Sequence, residues 1–385
     1  MLNFEFHNPT RIVFGKDTVA ELEKLVPATA RVLILFGGQS AERNGTLAEV
    51  RSALGGRTRF EFGGIEANPT FETLMKAVNL VRAERIDFLL AVGGGSVIDG
   101  TKFVAAAANF AGDPWQILAS FGGAVHSALP LGVVLTLSAT GSEMNAGSVV
   151  TRKSTHTKAF FSNPLVFPQF SILDPTKTYT LPARQLANGV VDAFTHVMEQ
   201  YLTYPVDARV QDRFAEGLLQ TLIEIGPQVV HEPADYDSRA NLMWAAAMAL
   251  NGLIAAGVPQ DWATHLVGHE LTALHGMDHA QTLAVLLPSM LGLRRDAKRA
   301  KLLQYAERVW HISEGSEDAR IDLAILKTRE FFESLGVSTR LAGYGIGVEA
   351  IDKLVAALET HGMVRLGEHG DVDLALARKV YEESL

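Results

Sequence analysis

The side chains best suited to chemistry in this sequence are one aspartate and several histidines, spaced by single helical turns. Asp192 and His196 are four positions apart, which places both on one face of a helix with Cβ atoms about 5–6 Å apart. The same spacing recurs in a second segment, in the pairs His265 with His269 and His275 with His279. A lone histidine on an apolar helix is usually a hydrogen-bonded core residue, but this set holds five of the chain's 12 histidines. One carboxylate with three imidazoles suits Zn²⁺ or Fe²⁺ and leaves room for a substrate oxygen.

A glycine-rich turn offers a second kind of chemistry, the binding of a phosphate. Residues 93–96 (Gly-Gly-Gly-Ser) follow the apolar segment 87–92 and open a predicted helix. Glycines let the main chain approach a phosphate, and free N–H groups at a helix N-terminus attract its charge. The turn is not the GxGxxG fingerprint, so an ordinary tight strand-to-helix turn stays open as the alternative. Asp99, one turn into the helix, is either a site residue or an acid that stabilises the helix dipole.

The first predicted strand-to-helix turn indicates which dinucleotide would fit. Gly37, Gly38, Gln39 and Ser40 follow the predicted strand 31–36, where an open α/β sheet places the adenosine half of a dinucleotide. NAD-selective sites tend to keep an acid here for the ribose 2′-hydroxyl. Gln39 and Ser40 stand in its place, with Arg43 one turn further on, so no carboxylate is ready to repel a 2′-phosphate. The sequence therefore favours NADP.

A third segment, residues 136–143, combines hydroxyl groups with one glycine at the end of the predicted strand 131–137. Its sequence is Thr-Leu-Ser-Ala-Thr-Gly-Ser-Glu. The segment either caps a helix or lines the path of the pyrophosphate and the nicotinamide, and the residues alone leave both interpretations open.

The elements that must position these residues change in kind along the chain. Segments 4–7 and 11–14 are interpreted as a small opening hairpin. Apolar strands then alternate with helices of about ten residues or more, and short strands at 149–151, 159–161 and 170–173 close this half. That alternation is typical of a mostly parallel sheet covered by helices. After it come Ala/Leu-rich periodic segments at 184–202, 208–225, 239–256, 262–275, 282–293, 298–309 and 319–335, which predict helices.

The change in pattern predicts a domain boundary near Tyr179. Leu181 and Pro182 start the first helix beyond it, with Thr180 as its N-cap and Pro182 in the first helical position. The 385 residues are also too many for one ordinary core, which agrees with two domains.

The composition limits the class of protein. With 43 acidic against 34 basic residues the net charge is −9, which leaves no electrostatic case for binding nucleic acid or an anionic membrane. The chain has no cysteine, which excludes disulfides and thiolate chemistry. No segment is apolar for long enough to span a bilayer, and the amino terminus lacks the pattern of a signal peptide, so a cytoplasmic protein is expected.

Together these motifs resemble those of the iron-containing (group III) alcohol dehydrogenases, most closely the branch of NADPH-dependent aldehyde reductases and butanol dehydrogenases. The resemblance covers essentially the whole chain. Four features carry it: residues 62–69 (Phe-Gly-Gly-Ile-Glu-Ala-Asn-Pro), residues 93–96, residues 139–143 and the set Asp192, His196, His265 and His279. The last feature is highly specific, whereas the glycine turn by itself is not.

The resemblance implies a dehydroquinate-synthase-like two-domain fold. An N-terminal Rossmann-like α/β domain, residues 1–179, would bind the dinucleotide, and an all-helical C-terminal domain, residues 180–385, would bind the metal and carry catalysis. The implied metal ligands are Asp192, His196, His265 and His279. His269 would be the catalytic residue that relays a proton. His275 stays open as the alternative to His279, because many family members have His-Gly at this ligand, but the usual separation of 14 from His265 selects His279.

The resemblance also implies the cofactors and their contacts. The cofactors are NADP(H), with NAD(H) as the weaker candidate, and one divalent metal, Fe²⁺ or Zn²⁺. The matching cofactor-binding positions are Gly37, Gly38, Gln39, Ser40, Gly94, Gly95, Ser96, Asp99, Thr136, Leu137, Thr140, Asn145, Lys158 and Tyr179.

The implied reaction is hydride transfer that interconverts small primary alcohols, such as butanol, and aldehydes, in a protein expected to be a homodimer. Two other enzymes of the same fold stay open, an NAD-linked polyol or diol dehydrogenase and a dehydroquinate-synthase-like lyase. The lyase should have clustered basic residues near its metal, but no lysine lies between Lys177 and Lys298. A non-catalytic metal-binding protein would leave the glycine turns without a role.

Overall fold

The computed structural model describes residues 1–232 and 234–385, and their contacts divide them into two compact units. One unit is His7–Leu181, and the other combines Met1–Phe6 with Pro182–Leu385. The division falls just beyond the predicted boundary near Tyr179, and the first six residues group with the C-terminal unit. This division does not test the function predicted for each domain.

The first unit has the alternating elements that the sequence pattern predicts. Its strands are β1 (Arg11–Phe14), β2 (Arg31–Phe36), β3 (Thr58–Phe62), β4 (Phe88–Gly93), β5 (Leu131–Leu135), β6 (Gly147–Arg152), β7 (Thr157–Ser162) and β8 (Phe170–Leu173). Its helices are α1 (Leu22–Leu25), α2 (Ser40–Arg43), α3 (Thr46–Leu54), α4 (Phe71–Glu84), α5 (Gly95–Ala108) and α6 (Gln116–Ala119).

Six of these strands form one parallel sheet in the order β1-β8-β5-β4-β2-β3. Strands β4 and β5 are buried along their whole length, which explains their unbroken apolar sequences. From β2 the chain continues to β3 on one side and then to β4 on the other side, so the strand order reverses between β2 and β4. Ligands of open α/β sheets bind outside the carboxyl ends of the strands at such a reversal. Gly37 follows β2 and Gly94 follows β4, so both glycine turns lie at this place.

The predicted opening hairpin is wrong. Residues 4–7 form no strand, and β1 pairs in parallel with β8, with Arg11 opposite Phe170. Asn8 directs the chain to this edge of the sheet, because its side chain accepts a hydrogen bond from Thr10 N at 3.2 Å and donates one to Met144 O at 2.8 Å. The three predicted short strands are confirmed, since they lie within β6, β7 and β8. β6 and β7 form a separate antiparallel ribbon.

The second unit is built from helices, as predicted. They are α7 (Ala183–Tyr201), α8 (Arg209–His231), α9 (Tyr236–Ala249), α10 (Ala263–His275), α11 (His279–Leu293), α12 (Arg299–Arg308), α13 (Glu317–Ser334), α14 (Ile351–Thr360) and α15 (Leu374–Glu383). Two-residue strands β9 (Arg365–Leu366) and β10 (Val372–Asp373) add a small antiparallel ladder. The predicted cap of α7 is wrong, because Pro182 occupies the N-cap position where Thr180 is predicted. Among the described residues, no helix is both long and apolar enough to cross a membrane.

Candidate metal centre and dinucleotide-binding turns

Three helices of the second unit bring four predicted ligands together. Asp192 and His196 lie on α7, His265 lies near the start of α10, and His279 is the first residue of α11. The Oδ1 atom of Asp192 lies 3.6 Å from Nε2 of His196 and 3.7 Å from Nε2 of His279. It lies 4.0 Å from Nε2 of His265. Asp192, His265 and His279 form a tighter group whose ligand atoms all lie within 4.8 Å of one another, and the His196 ring stacks on His265 with 4.8 Å between centroids.

These donors fit a divalent metal ion. The Oδ1 atom of Asp192 is buried and accepts no hydrogen bond from any residue that the structure describes, so a cation would satisfy it. Bonds of about 2.0–2.2 Å in a tetrahedral site place ligand atoms about 3.3–3.6 Å apart. The distances from Oδ1 to the three Nε2 atoms are at or slightly above the upper end of that range. Carboxylate and imidazole are donors that both Zn²⁺ and Fe²⁺ accept.

A carboxylate that the sequence analysis missed, Glu199, orients one of these imidazoles. Its Oε2 atom pairs with Nδ1 of His265, and its Oε1 atom accepts a hydrogen bond from Thr264 N at 2.6 Å. A ligand imidazole commonly donates its second N–H to a carboxylate, which leaves the other nitrogen for the metal. Burial, together with the nearby Asp261, raises the pKa of Glu199 to about 8. Its position seven residues after Asp192, two turns along the same helix face, is the signal that could have identified it.

The start of α10 is held by buried charges around Asp261. The Asp261 N–H donates to Glu199 O at 3.0 Å, and its carboxylate pairs with Lys298 at 2.6 Å and with Arg294. Burial raises the pKa of Asp261, but these cations outweigh it and lower the pKa to about 2. The next residue, Trp262, has a φ of 63°, which is unfavourable for a bulky side chain. The ion pairs therefore fix a strained backbone next to a ligand-bearing helix.

The start of α11 positions His279. Asp278 and Gln281 form a capping box in which Gln281 Oε1 accepts a hydrogen bond from Asp278 N at 3.2 Å. Asn188 of α7 donates to Oδ2 of Asp278 at 2.9 Å, so the cap is tied to the helix that carries the aspartate ligand. Gly276, with a φ of 67°, ends α10 in the left-handed region and separates the two helices.

The other two histidines of the pattern lie differently. His269 is buried one turn beyond His265 on α10, and its ring centroid lies 5.9 Å from that of His279. It is thus next to the ligand set without belonging to the three-residue group. His275 is the exposed last residue of α10 and is not in that group either. The geometry therefore favours His279 over His275 as a ligand.

In the α/β unit, the turn after β4 has no room for side chains. A Cβ atom on Gly95 would lie 2.4 Å from Thr140 Oγ1, and one on Gly94 would lie 2.9 Å from Leu137 Cβ. Gly95 is the first residue of α5, a 14-residue helix whose N-cap residue is Gly94, which has no side chain. Its first N–H groups are therefore able to bind an anion, next to residues 136–143.

Asn68 forms hydrogen bonds with two predicted cofactor-binding residues, Ser96 and Lys158. Its backbone N–H donates to Ser96 Oγ at 3.3 Å, and its side-chain oxygen accepts a hydrogen bond from Lys158 Nζ at 3.0 Å. Asn68 is predicted from the sequence only as part of the motif at residues 62–69. Thr136 lies at the end of β5, where its N–H donates to the carbonyl of Gly93 at 3.0 Å. Tyr179 lies further away in sequence, beyond β8, and is 36% exposed.

Asp99 and Asn145 are both linked to Ser142, which the sequence prediction includes only within residues 136–143. Asp99 Oδ1 accepts a hydrogen bond from Ser142 Oγ at 2.6 Å, and its Oδ2 accepts one from Val149 N at 2.9 Å. Asn145 and Ser142 both accept hydrogen bonds from the buried Lys102. Burial raises the pKa of Asp99. Asp99 therefore joins α5 to β6, whatever else it binds.

The turn after β2 carries the predicted adenosine contacts Gly37, Gly38, Gln39 and Ser40, of which the last three are exposed. One acid close by, Glu42 on α2, is not among the predicted cofactor contacts. It pairs with Arg51 at 2.8 Å, and this hydrogen bond lowers the pKa of Glu42. Arg51 also pairs with Glu61. The carboxylate is thus already engaged by a cation.

Comparisons with known proteins give one consistent result. The family model for iron-containing alcohol dehydrogenase matches residues 9–175, and the model for the C-terminal part of the same family matches residues 186–365. The chain is 61% identical to the NADPH-dependent aldehyde reductase YqhD of Escherichia coli over 99% of both chains. It is 40% identical to the NADH-dependent butanol dehydrogenase B of Clostridium acetobutylicum over 91% of this chain and 92% of that one.

Solved structures agree with these sequence matches. The crystal structure of E. coli YqhD superimposes with a TM-score of 0.99 at 60% identity and covers 100% of this chain and 99% of that one. An NADH-dependent butanol dehydrogenase A from Thermotoga maritima superimposes with a TM-score of 0.95 at 33% identity, over 99% and 98% of the two chains.

Proposed function

The chain belongs to the iron-containing alcohol dehydrogenase family and is an NAD(P)-dependent oxidoreductase, and we propose that it is a metal-dependent, NADPH-linked aldehyde reductase. In the reverse direction it oxidises small primary alcohols such as butanol. The observation that carries the proposal is the Oδ1 atom of Asp192, which has three imidazole Nε2 atoms 3.6–4.0 Å away. The 61% identity to an NADPH-dependent aldehyde reductase supports the choice of substrate and cofactor.

Each unit contributes its own part to the reaction. When bound, a divalent metal, Fe²⁺ or Zn²⁺, supplies Lewis-acid polarisation of the substrate oxygen, and NADPH supplies the hydride. In the second unit, one carboxylate and three imidazoles would hold the metal. They are Asp192, His196, His265 and His279. In the α/β unit, the turns after β2 and β4 would hold the dinucleotide together with Asp99, Thr136, Leu137, Thr140, Asn145, Lys158 and Tyr179.

Reduction of an aldehyde also needs a proton, and His269 is the residue assigned to deliver it. Its ring lies beside that of His279, one turn after His265, without belonging to the tight ligand group. An imidazole can give up a proton from one nitrogen while it takes one on the other, which suits a relay. In the oxidation direction the same ring accepts the proton.

The preference for NADPH rests on the turn after β2. Gln39 and Ser40 stand where an NAD-selective site tends to keep an acid, and Glu42 nearby is paired with Arg51. The NAD-linked alternative has support of its own, since a relative at 40% identity is NADH-dependent. The lyase alternative is weaker, because Lys298, the first lysine after Lys177, is buried in ion pairs with Asp261 and Glu368.

The test compares metal content and NADPH oxidation on the same purified sample, with butanal, before and after chelation. We expect about one metal ion per chain, loss of aldehyde reduction on chelation, and weaker turnover with NADH. A preference for NADH of tenfold or more would overturn the choice of cofactor. Metal without any dinucleotide oxidation would overturn the reductase and point to the lyase.

A pair of variants tests the ligand assignment. His279→Ala should lose both the metal and the activity, whereas His275→Ala, on the exposed end of α10, should keep both. The opposite result would make His275 the fourth ligand. Changing His269 to Ala should retain the metal and slow the reduction, and loss of metal in this variant would argue against a relay.

The proposed enzyme is a cytoplasmic homodimer. Family resemblance supports the homodimer, and the cytoplasmic location is the expectation from the sequence pattern. Sedimentation velocity on the full chain should give twice the mass of 41.6 kDa, and fractionation of the source cells should recover the protein with cytoplasmic markers. A monomer, or recovery outside the cytoplasm, would contradict the respective statement.

A further inference from the structure

A fully buried lysine lies beneath the dinucleotide-binding turn. Lys102 is on α5, two turns beyond Gly95, and its side chain has no exposed surface. Lysine is almost never fully buried unless its ammonium is paired or hydrogen-bonded, because removing the charge from water is costly. No carboxylate oxygen of the described residues lies within ion-pair distance of Nζ, so polar neighbours must compensate for its burial.

The three hydrogen bonds of Lys102 all reach one stretch of chain. Nζ donates to Ser142 Oγ at 2.9 Å, to Asn145 Oδ1 at 3.0 Å and to the Gly147 carbonyl at 2.8 Å. An ammonium has three donors, and each is used. The stretch from Ser142 to Gly147 joins residues 136–143 to the first residue of β6. Lys102 therefore fixes this connection to α5.

A second chain of bonds passes through the same serine. Ser142 Oγ accepts from Lys102 and donates to Asp99 Oδ1 at 2.6 Å, and Asp99 Oδ2 accepts from Val149 N at 2.9 Å. Hydrogen bonds in such a series strengthen one another in a low-dielectric interior. Burial lowers the pKa of Lys102 to about 8, and burial also raises the pKa of Asp99, so both groups depend on these contacts for their charge.

The loop held in this way shapes the glycine turn. Ser142 N donates to Thr140 Oγ1 at 3.2 Å, and the same Oγ1 would lie 2.4 Å from a Cβ atom on Gly95. Thr140 is thus packed against the first residue of α5, where the predicted phosphate contacts are. If this loop moved away from α5, the contact between Thr140 and Gly95 would be lost in the ligand-free protein.

From these contacts we infer that Lys102 is a positioning residue for the dinucleotide: it holds residues 140–147 in their binding conformation without touching the cofactor. The inference rests on the proposed function, because it concerns the same site. Removal of the ammonium leaves three acceptors without this donor and leaves the Asp99 carboxylate without the nearby positive charge, so the loop must be ordered when the dinucleotide binds. That ordering should weaken binding about tenfold or more.

The main variant is Lys102→Met, and its matched control is Lys301→Met. Lys301 is likewise buried on a helix and hydrogen-bonded, to Asp212 at 2.6 Å, but it lies on α12 in the other unit. We expect the Kd for NADPH, measured by fluorescence titration, to rise at least about tenfold in Lys102→Met and to stay unchanged in Lys301→Met. Metal content should be the same in both variants and in the wild type.

A readout that needs no dinucleotide accompanies the titration. Hydrogen exchange of residues 140–149 should accelerate in Lys102→Met, because the amides of Ser142, Gly147 and Val149 are protected by this network. Should Lys102→Met fail to fold, Ser142→Ala removes the shared link alone and must show the same change to a smaller degree.

A folded Lys102→Met with wild-type NADPH affinity and wild-type exchange would overturn the inference. A wild-type protein that does not bind NADPH would instead overturn the proposed function, while the exchange result would still decide the role of Lys102.

Discussion

At the scale of single residues, the chemistry of each ligand depends on the group behind it. His265 has Glu199 at Nδ1 and Asp192 at Nε2, so one ring nitrogen is held by a buried carboxylate and the other is directed at the metal position. The sequence pattern identified the histidine from its spacing. It did not identify the glutamate: the spacing of seven from Asp192 places Glu199 on the same helix face, but its partner His265 lies 66 residues further along the chain.

Glu199→Gln tests this arrangement. Glutamine keeps the size of the side chain, but one of its two terminal atoms is an NH2 donor, so it cannot accept hydrogen bonds from both Thr264 N and His265 Nδ1, and metal affinity should fall about 10–100-fold. Competition for the metal with a chromogenic chelator measures this affinity. Glu216→Gln on α8 is the control, since Glu216 is as buried but pairs with Arg213 and Arg308. Equal metal affinity in the wild type and Glu199→Gln would show that the carboxylate does not support the ligand.

Glu143 gives a prediction about pH. Its side chain is buried, Oε1 accepts no hydrogen bond from the described residues, and burial raises its pKa from 4.5 to about 7. Between these values the folded protein binds more protons than the unfolded chain, so the contribution of Glu143 to stability falls as pH rises and is lowest above pH 7. Glu143→Gln should therefore increase the free energy of unfolding by about 1–3 kcal/mol at pH 8 and by much less at pH 5. Urea denaturation at both pH values measures this, and a gain that is equal at both would contradict the assignment.

At the scale of elements, ligands are placed by where helices begin and end. His279 is the first residue of α11, so its position depends on the cap that Asp278 forms with Gln281 and on the hydrogen bond from Asn188. A helix start is a less rigid platform than a helix interior, because its first turn has fewer internal hydrogen bonds.

Asp278→Ala tests whether the position of His279 depends on this cap. Loss of the cap costs about 1 kcal/mol of stability, and it should also weaken metal binding, because His279 loses its fixed position. Asp235→Ala is the matched control: Asp235 caps α9, where its side chain accepts a hydrogen bond from Ser238 N at 2.9 Å. Both variants should lower the free energy of unfolding to a similar extent, and only Asp278→Ala should lose metal affinity. Equal metal affinity in the two variants would show that the cap does not position His279.

The sequence predicted the helices better than their ends. The segment 208–225 was expected to stop before Gly226 and Pro227, but α8 continues to His231. A Cβ atom on Gly226 would lie 3.2 Å from both Phe331 and Val190, so this glycine allows close helix packing and does not end the helix. Tertiary packing of this kind is not visible in a single sequence.

The opposite error occurs in α9, which was expected to reach residue 256 and ends at Ala249. Gly252, with a φ of 91°, lies in the left-handed region, and the side chain of Asn251 accepts a hydrogen bond from Leu253 N at 2.9 Å. This local turn interrupts a run of apolar residues whose periodicity still looks helical. The metal ligands were predictable because their spacing is local, whereas Glu199, Lys102 and Asn68 act through partners distant in sequence.

At the scale of the whole molecule, each unit has its own core. In the α/β unit a cluster that includes Val32, Leu90 and Ile172 packs around the parallel sheet. In the second unit a cluster that includes Val267, Leu286 and Tyr381 joins α10 and α11 to α15. The proposed ligands are divided in the same way, with every metal ligand in the second unit and every proposed dinucleotide contact in the first.

Metal removal should therefore change the two units unequally. A ligand that binds only the folded state stabilises the elements that hold it, by about 2.7 kcal/mol at a concentration 100 times its Kd. Chelation should accelerate hydrogen exchange in α7, α10 and α11, whose side chains would lose a shared partner, and leave β4 and α5 unchanged. NADPH added to the chelated protein should slow exchange around β4, α5 and residues 136–147, because these hold the proposed phosphate contacts. If chelation accelerated exchange equally in both units, the metal would stabilise both of them. Ligands that lie only in the second unit would not explain this result. If it changed neither unit, the cluster around Asp192 would not be a metal site at all.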